Sequence, residues 1–217
     1  MAGAEAQAPG GLRPEPGQAL GLFPLQTVLF PGGLLPLKVF EARYLDLIGR
    51  CLRSGRPFGV VALQQGAEVG GTAGVKLHDV GVLAQIEEVD AQQAGILLVR
   101  CRGLERFRLL EPAQRQADGL WCAPVEELPA DEVQVPQPAH AGSVRALEQA
   151  LQALQERGQS PVTGPLRLDD AGWVANRWCE LLPVSLAAKQ KLMELDEPGV
   201  RLRLVDEFLR SKGVIGS

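Results

Sequence analysis

Ser185 and Lys189 are a serine and a lysine four residues apart, a spacing that a helix would place on one side. A serine beside a lysine of lowered proton affinity can hydrolyse peptide bonds, because the lysine accepts the hydroxyl proton. Ser185 follows Leu182-Pro183-Val184 as a helix N-cap does, however, and Lys189 belongs to the charged run KQK. We therefore predict a helix cap and a surface lysine, and no catalytic residue.

A glycine cluster at residues 70–74 (GGTAG) is where a phosphate-binding loop would be sought. Such a loop has the pattern GxxxxGK followed by Ser or Thr, and it opens a helix. This cluster continues instead into the strand-like Val75-Lys76-Leu77, and the sequence contains no GxxxxGK. We predict a hairpin loop here and no ATPase activity.

Cysteines and histidines are few and widely separated. Metal sites usually combine at least three ligands, often with two of them close in sequence, and no such spacing occurs here. The residues concerned are Cys51, Cys101, Cys122, Cys179, His78 and His140. We predict buried, reduced thiols, no metal site and no cofactor.

The charge balance is mildly acidic, with 22 Lys and Arg against 26 Asp and Glu and a net charge of -4. This supplies no general attraction to phosphate backbones or to anionic lipid, so neither nucleic acid nor membrane is an expected partner. Residues 1–20 lack the basic start and apolar core of a signal peptide. We expect a mobile tail at residues 1–20 and a cytoplasmic protein.

The elements that position these residues begin with an apolar segment, residues 22–40 (LFPLQTVLFPGGLLPLKVF). Prolines at positions 24, 31 and 36 exclude a membrane-spanning helix, because each removes a backbone donor and clashes with the preceding turn. The order Phe30-Pro31-Gly32-Gly33 is typical of a type II turn. We predict two extended segments joined at this corner.

The rest of the first half is predicted to contain one helix and several short strands. Residues 40–53 repeat apolar side chains at a helical period, at Phe40, Tyr44, Leu47 and Cys51, before Ser54-Gly55. Extended segments follow at 57–63, 75–89, 96–102, 104–110 and 120–125, with Gly103 separating the third from the fourth. Without regular alternation of strands and helices, this pattern predicts a mostly antiparallel barrel.

The second half is predicted to be helical. Residues 129–142, with Pro129, Pro136 and Pro138, form an extended linker. The predicted N-caps are Ser143, Asp169 or Asp170, and Ser185, while Asp196 begins the last helix, with Pro198 in its first turn and Leu204, Val205, Phe208 and Leu209 inward. The predicted domains are a tail at 1–20, a β-rich subdomain at 21–128, the linker at 129–142 and a helical subdomain at 143–212.

Trp173 and Trp178 cannot easily share one apolar stripe, because five residues turn a helix by roughly 140°. Trp178 lies with Val174, Leu181 and Leu182, whereas Trp173 lies with Asn176, Arg177 and Glu180. One interpretation is that Trp173 packs beneath the linker or on the barrel. The other is that Trp173 is partly exposed and contacts a partner.

Several motifs in order resemble a known family. They are TVLFPG and LLPL at 27–37, GVLAQI at 81–86, residues 95–103 with Arg106, LP at 182–183, KQKLME at 189–194 and RL at 201–202. Together they resemble the N-terminal, substrate-binding domain of Lon proteases over roughly residues 21–210. The resemblance implies an α+β fold in which a PUA-like β pseudobarrel is followed by a C-terminal helical bundle.

The same resemblance implies a function, since this module recognises polypeptides for Lon and recurs in cereblon. Lon continues into ATPase and protease domains, whereas this sequence stops at Ser217 without their motifs. We expect a stand-alone, non-catalytic module for unfolded or exposed polypeptide segments, which acts as an adaptor in protein quality control beside a separate ATPase or protease. Trp173 and Arg177 are its candidate polypeptide-binding residues.

Two other functions stay open. PUA-like barrels in other proteins bind RNA, although single strands are usually held by basic grooves with stacking aromatic rings, and this sequence is acidic and poor in aromatics. An uncharacterised hydrolase is the third hypothesis, and the lack of a recognisable nucleophile and base disfavours it.

Overall fold

The computed structural model of this protein describes residues 19–65 and 74–216. Its strands are β1 Ala19–Leu25, β2 Leu34–Val39, β3 Phe58–Gln65, β4 Lys76–Leu77, β5 Val80–Gln93, β6 Ile96–Leu109, β7 Gln114–Arg115 and β8 Trp121–Glu127. Its helices are α1 Ala42–Ser54, α2 Ala141–Glu156, α3 Ala171–Leu181, α4 Leu186–Glu194 and α5 Pro198–Ser211, with a 3₁₀ turn at Pro138–His140. Residues 1–18 of the predicted tail and residues 70–73 of the predicted glycine loop lie outside the described residues.

The sheet closes into a barrel. β1 pairs in parallel with β3 and antiparallel with β8, and β3, β5 and β6 follow as antiparallel neighbours. The end of β6 then pairs with β8, which closes the ring. The first half of β6 pairs with β2, so that β2, β6 and β5 form a three-stranded extension of the barrel. The α+β architecture of a barrel followed by helices is therefore confirmed.

The predicted corner between β1 and β2 is confirmed. Gly33 donates its backbone N–H to the Phe30 carbonyl at 2.9 Å, and Gly32 has a φ of 75°. This left-handed value is what a type II turn requires after Pro31, and it favours glycine. The corner lets residues 22–40 supply two strands to different parts of one sheet.

Gly103 does not separate two strands, contrary to the prediction. It lies inside the continuous strand β6, where its N–H donates to the Gly33 carbonyl at 2.8 Å and its carbonyl accepts from Gly32 at 2.8 Å. A Cβ atom at this position would collide with the Phe30 carbonyl oxygen. The glycine therefore marks a close approach of two backbones.

Helix α1 begins two residues later than its apolar period suggested. Phe40 precedes the helix and is 49% exposed, whereas Tyr44, Leu47 and Cys51 are buried as predicted. The helix ends as predicted, with Gly55 in the left-handed region at a φ of 68°. Phe40 is thus a surface aromatic.

Two of the predicted helix caps are confirmed and two starts are wrong. Asp170 accepts from the Gly172 and Trp173 amides, and Ser185 accepts from the Ala188 amide. In contrast, α2 already starts at Ala141, and α5 starts at Pro198 with Glu197 rather than Asp196 as its N-cap.

Burial accounts for the role of Ser143. Ser143 lies in the first turn of α2, where it is buried and its hydroxyl donates to the Asp206 carboxylate of α5. This bond ties α2 to α5 and replaces the capping role expected of Ser143. On α5, Leu204 points outward and is 40% exposed, whereas Val205 and Leu209 are buried as predicted.

One continuous core connects the barrel and the helices, since it includes Phe30 and Phe58 together with Leu147, Val174 and Trp178. A smaller cluster, which includes Leu22 and Phe107, fills the barrel. The division of the chain at residues 128 and 143 stays a prediction. Within the described ranges no helix combines the length and the apolar character needed to cross a membrane.

The four cysteines are unpaired thiols. Cys51, Cys101 and Cys179 are buried, as predicted, and burial raises their pKa values to about 11, about 12 and about 12. Cys122 is half-buried, and its pKa is also raised, mainly by burial. Thiols with raised pKa values are poor nucleophiles near neutral pH, so these side chains act as small apolar residues.

Candidate functional site

The serine and lysine that first suggested catalysis have structural roles. The Ser185 hydroxyl accepts the Ala188 amide at 3.2 Å as the cap of α4. The Lys189 amine donates to the Glu180 carbonyl at 3.0 Å, near the C-terminal end of α3. Lys189 is half-buried rather than fully exposed, because it reaches across to this carbonyl. No proton relay joins the serine and the lysine, so the geometry supports the capping interpretation.

Arg177, one of the two candidate binding residues, lies inside the molecule. Its side chain is 1% exposed, and one guanidinium nitrogen donates to the Pro31 carbonyl at 3.0 Å and to the Glu180 carboxylate at 2.8 Å. Its Nε and Nη1 have no hydrogen-bond partner among the described residues. In this structure Arg177 therefore holds α3 against the corner of the barrel.

Trp173 lies beside Arg177, with the guanidinium carbon 5.7 Å from the centroid of its ring. Its side chain is half-buried, between the barrel corner and the start of α3. The polar face of α3 that was expected around it exists, but Asn176 and Arg177 are buried against the rest of the protein. Of the two candidate binding residues, Trp173 is therefore the one with part of its side chain exposed to solvent.

The carboxyl of Glu180 completes this contact. Burial raises its pKa to about 7, although Arg177 and Lys189 favour its charged form. A Cβ atom on Gly33 would collide with its Oε1 atom, so the corner and the end of α3 are in close contact. The ionisation of Glu180 thus changes within the physiological pH range at a contact between barrel and helices.

A second set of buried charges joins three other parts of the chain. Arg106 of β6 donates to the Met193 and Leu195 carbonyls at 3.1 Å and 3.0 Å. Arg201 of α5 forms an ion pair with Asp131, and Arg106 lies 3.5 Å from the same carboxylate. Asp131 therefore pairs with two guanidinium groups that are almost fully buried.

We call this region the seam, defined by Pro31, Gly33, Arg106, Asp131, Arg177, Glu180 and Arg201. Gln190 supports it from α4, since its amide donates to the Val80 carbonyl at 2.9 Å. The seam contains Pro31 of the TVLFPG motif and Arg201 of the RL motif, together with Arg106, and Gln190 belongs to the KQKLME motif. These motif residues hold the barrel and the helices together, which the sequence did not reveal because it shows spacing but not burial.

A cleft of about 280 Å³ opens beside the seam, and Trp173 forms one wall of it. Its other walls carry charges that are already paired. Arg106 lies near Asp131, and Arg167 forms an ion pair with Asp170 at 2.6 Å. The cleft therefore offers an aromatic surface rather than an unpaired charge.

A second concavity, of about 360 Å³, lies along β2, and we call it the β2 groove. It is lined by Phe23, Leu25, Thr27, Leu35, Pro36, Leu37, Lys38, Val39, Phe40, Glu41 and Tyr44. The rings of Phe23 and Tyr44 stack with centroids 4.0 Å apart, and the exposed Phe40 contributes to the lining. The β2 groove is mainly apolar, and Phe40 exposes part of its wall to solvent.

Sequence reasoning missed the β2 groove, because Phe40 was assigned to the inward face of a helix. The signal that could have found it is the alternation in β2, where buried Leu35, Leu37 and Val39 are interrupted by exposed Pro36 and Lys38. Proline and lysine together are typical of a strand at the edge of a sheet.

Metal-binding side chains do not assemble in the part of the chain that the structure describes. Within residues 19–65 and 74–216, no three His, Cys, Asp or Glu side chains form a group that could hold a metal ion. The absence of metal and cofactor stays a prediction.

Comparison with known proteins identifies the relatives of this architecture. Residues 19–211 match the family model of the substrate-binding domain of the ATP-dependent protease La (Lon). A Lon N-terminal domain protein from Xanthomonas campestris is 33% identical in sequence, and its crystal structure matches with a TM-score of 0.70 over 87% of this chain and 96% of that one. The N-terminal domain of a Mycobacterium avium complex Lon protease shares the fold, with a TM-score of 0.57 and 19% identity over 88% of this chain and 97% of that one.

Whole Lon proteases also match this chain, each over one part of its own length. The Lon protease of Phenylobacterium zucineum is 26% identical over 216 residues, which cover 95% of this chain and 26% of the protease. The chain spans about a quarter of the length of the curated relatives it matches.

Proposed function

We propose a function from the fact that this chain belongs to the family of Lon substrate-binding domains. The protein is a non-catalytic module that binds unfolded or exposed polypeptide segments. The observation that carries this proposal is the family match over residues 19–211. The substrate of a protease is a polypeptide, so a domain that binds protease substrates must contact features that many polypeptides share. Apolar side chains and the extended backbone are such features.

The geometry supports the proposal in two ways. The β2 groove is an apolar concavity of about 360 Å³, which suits the side chains that an unfolded chain exposes. The residues that could have formed a catalytic dyad, Ser185 and Lys189, are a helix cap and a donor to a backbone carbonyl. The described residues thus favour recognition over hydrolysis.

We further propose that the protein acts in the cytoplasm as an adaptor that presents bound polypeptides to a separate ATPase or protease. In this proposal Trp173 provides a second contact surface in the cleft beside the seam. Arg177, being buried, supports that surface by holding α3 in place.

Binding of a permanently unfolded protein tests the proposal. The probe is reduced, carboxymethylated α-lactalbumin that carries a fluorescent label. Its fluorescence anisotropy should rise when this protein is added, whereas the anisotropy of labelled native α-lactalbumin should stay constant. A labelled oligouridine serves as the competing probe. Binding of oligouridine with a steep salt dependence, together with no binding of the unfolded protein, would favour RNA recognition instead.

Catalytic assays complete the test. The purified protein should turn over neither ATP nor unfolded casein. A peptidase activity that co-purifies with the protein and is lost in Ser185→Ala would contradict the non-catalytic assignment.

A further inference from the structure

The strand β2 has one unpaired edge. It pairs with β6 along its whole length, and no other described strand lies on its opposite side. A strand edge of this kind presents backbone N–H and C=O groups at regular intervals, and these groups can pair with another extended chain.

The hydrogen bonds at the corner show which residues of β2 face this open edge. Gly103 of β6 donates to the Gly33 carbonyl and accepts from Gly32, so its backbone groups point toward β2. In an antiparallel pair this direction alternates from one residue to the next. With Leu34 opposite Arg102, the residues of β2 that bond to β6 are Leu35, Leu37 and Val39.

Leu34, Pro36 and Lys38 therefore direct their backbone groups toward the open edge. The position of Pro36 agrees with this assignment, because a proline has no N–H and is tolerated where no ladder bond is needed. The open edge thus offers the N–H groups of Leu34 and Lys38 and the carbonyls of all three residues.

A concavity lies on each side of this edge. The β2 groove lies on one side, with apolar walls that include Phe23 and Tyr44. A cavity of about 650 Å³ lies on the other, lined in part by Val89 and Leu98, which are 37% and 39% exposed. Side chains alternate in direction along an extended chain, so a strand added to β2 would direct successive side chains into the two concavities in turn.

Charge defines one position on the edge. Lys38 forms no ion pair with any described residue, whereas Arg100 in the same outer cavity is paired with Glu88. An acidic side chain on an added strand would therefore find an unpaired cation at Lys38.

We propose that β2 binds an extended polypeptide segment of another protein by strand addition, with apolar side chains in the β2 groove and an acidic side chain beside Lys38. This inference rests on the proposed function and identifies where and how the polypeptide binds. Backbone pairing provides affinity that is independent of sequence, and the two concavities provide the preference for alternating apolar residues.

The variant Lys38→Pro tests the backbone pairing. It removes the N–H that faces the open edge and leaves the bonds of β2 to β6 intact. Its matched control, Lys38→Ala, removes the same charge and keeps the N–H. The probe is a short fluorescent peptide in which Val and Ile alternate with Ser around one central Asp. We expect Lys38→Pro to bind it about three- to tenfold more weakly than Lys38→Ala.

The variant Pro36→Ala is the opposite test, because it adds an N–H at the open edge. It should bind the same peptide about twofold or more tightly. Loss of the folded edge would remove the backbone groups that pair with the peptide, so a gain of affinity at this edge separates strand addition from a loss of structure.

Hydrogen exchange of single amides, followed by NMR, locates the bound strand. In the wild-type protein the Leu34 and Lys38 amides should exchange rapidly until the peptide is added and slowly afterwards. The Leu35 and Leu37 amides should be protected in both states. If the peptide and unfolded α-lactalbumin both bind while the Leu34 and Lys38 amides remain unprotected, strand addition is wrong and the proposed function stands.

Two other outcomes would also overturn the inference. Slow exchange of the Leu34 and Lys38 amides in the free monomer would show that the chain covers its own edge. A dimer that becomes monomeric in Lys38→Pro would identify a second copy of this chain as the occupant. If neither the peptide nor unfolded α-lactalbumin binds to the wild-type protein, the proposed function itself fails.

Discussion

The seam joins residues from distant parts of the chain, whereas the β2 groove is lined by residues 23–44 alone. The two regions also differ in how their polar groups are satisfied. In the seam, Asp131 pairs with the buried Arg106 and Arg201, and Arg177 bonds to Pro31 and Glu180. Along β2, backbone groups and the Lys38 amine face outward, without partners among the described residues. Paired buried charges fix the arrangement of the barrel and helices, whereas open groups beside apolar walls can bind another chain.

The largest expected effect of breaking the seam comes from Asp131→Ala. This variant leaves two buried guanidinium groups without their shared carboxylate, so we expect a loss of about 3 to 5 kcal/mol in the free energy of unfolding. Urea denaturation measures it. The matched control is Asp196→Ala, since Asp196 lies 3.4 Å from Arg106 but is 81% exposed. This control should cost less than about 1 kcal/mol, and equal costs for both variants would contradict the special role of the buried carboxylate.

Trp178 and Trp173 allow a core residue and a partly exposed residue of the same helix to be compared. Trp178 is buried and its indole N–H donates to the Ser143 carbonyl at 3.0 Å, so Trp178→Ala should destabilise the protein by about 3 to 5 kcal/mol. Trp173 is half-buried, and Trp173→Ala should cost about 1 to 2 kcal/mol. Acrylamide quenching of the two single Trp→Phe variants should show that Trp173 is the more accessible.

A binding measurement tests whether the exposed part of Trp173 contacts a polypeptide. We expect Trp173→Ala to weaken the binding of unfolded α-lactalbumin more than it lowers stability, as a binding contact does. If this variant binds as the wild-type protein does, the cleft beside the seam is not a recognition surface, and the β2 groove remains the candidate.

The corner that joins the two regions is sensitive to a single side chain. Gly32→Val should cost about 1 to 3 kcal/mol, because a β-branched residue is strained at the observed positive φ. A side chain there would also approach Arg177, since a Cβ atom would lie 3.1 Å from its Nη1. Thermal melting measures the cost. An unchanged melting temperature would contradict the turn assignment.

The seam should also show a pH dependence, which arises from Glu180. The native Glu180 carboxyl has a pKa raised to about 7, so it retains its proton at pH values where the unfolded carboxyl has lost it. Since the native state then binds more protons, stability should fall as the pH rises from about 4.5 to about 7. Urea denaturation over this range should show a shallower fall for Glu180→Gln. Identical pH profiles for the variant and the wild-type protein would show that Glu180 titrates normally.

The sequence by itself determined the local elements of this protein. Pro31-Gly32 specifies the corner, and Asp170 and Ser185 specify two helix starts, because each acts on backbone groups within three residues of itself. The ordered motifs also identified the family and hence the barrel followed by helices.

The contacts of the seam, the open edge of β2 and the exposure of Phe40 are known only from the tertiary structure. Arg177 bonds to a carbonyl 146 residues away and Arg106 to one 87 residues away, and no local pattern encodes such contacts. Periodicity also predicted Phe40 inside a helix and Gly103 between two strands, since it records side-chain spacing rather than the approach of distant backbones. Whether an edge is paired and whether a charge is buried depend on which distant segments meet, and that depends on the packing of the whole chain.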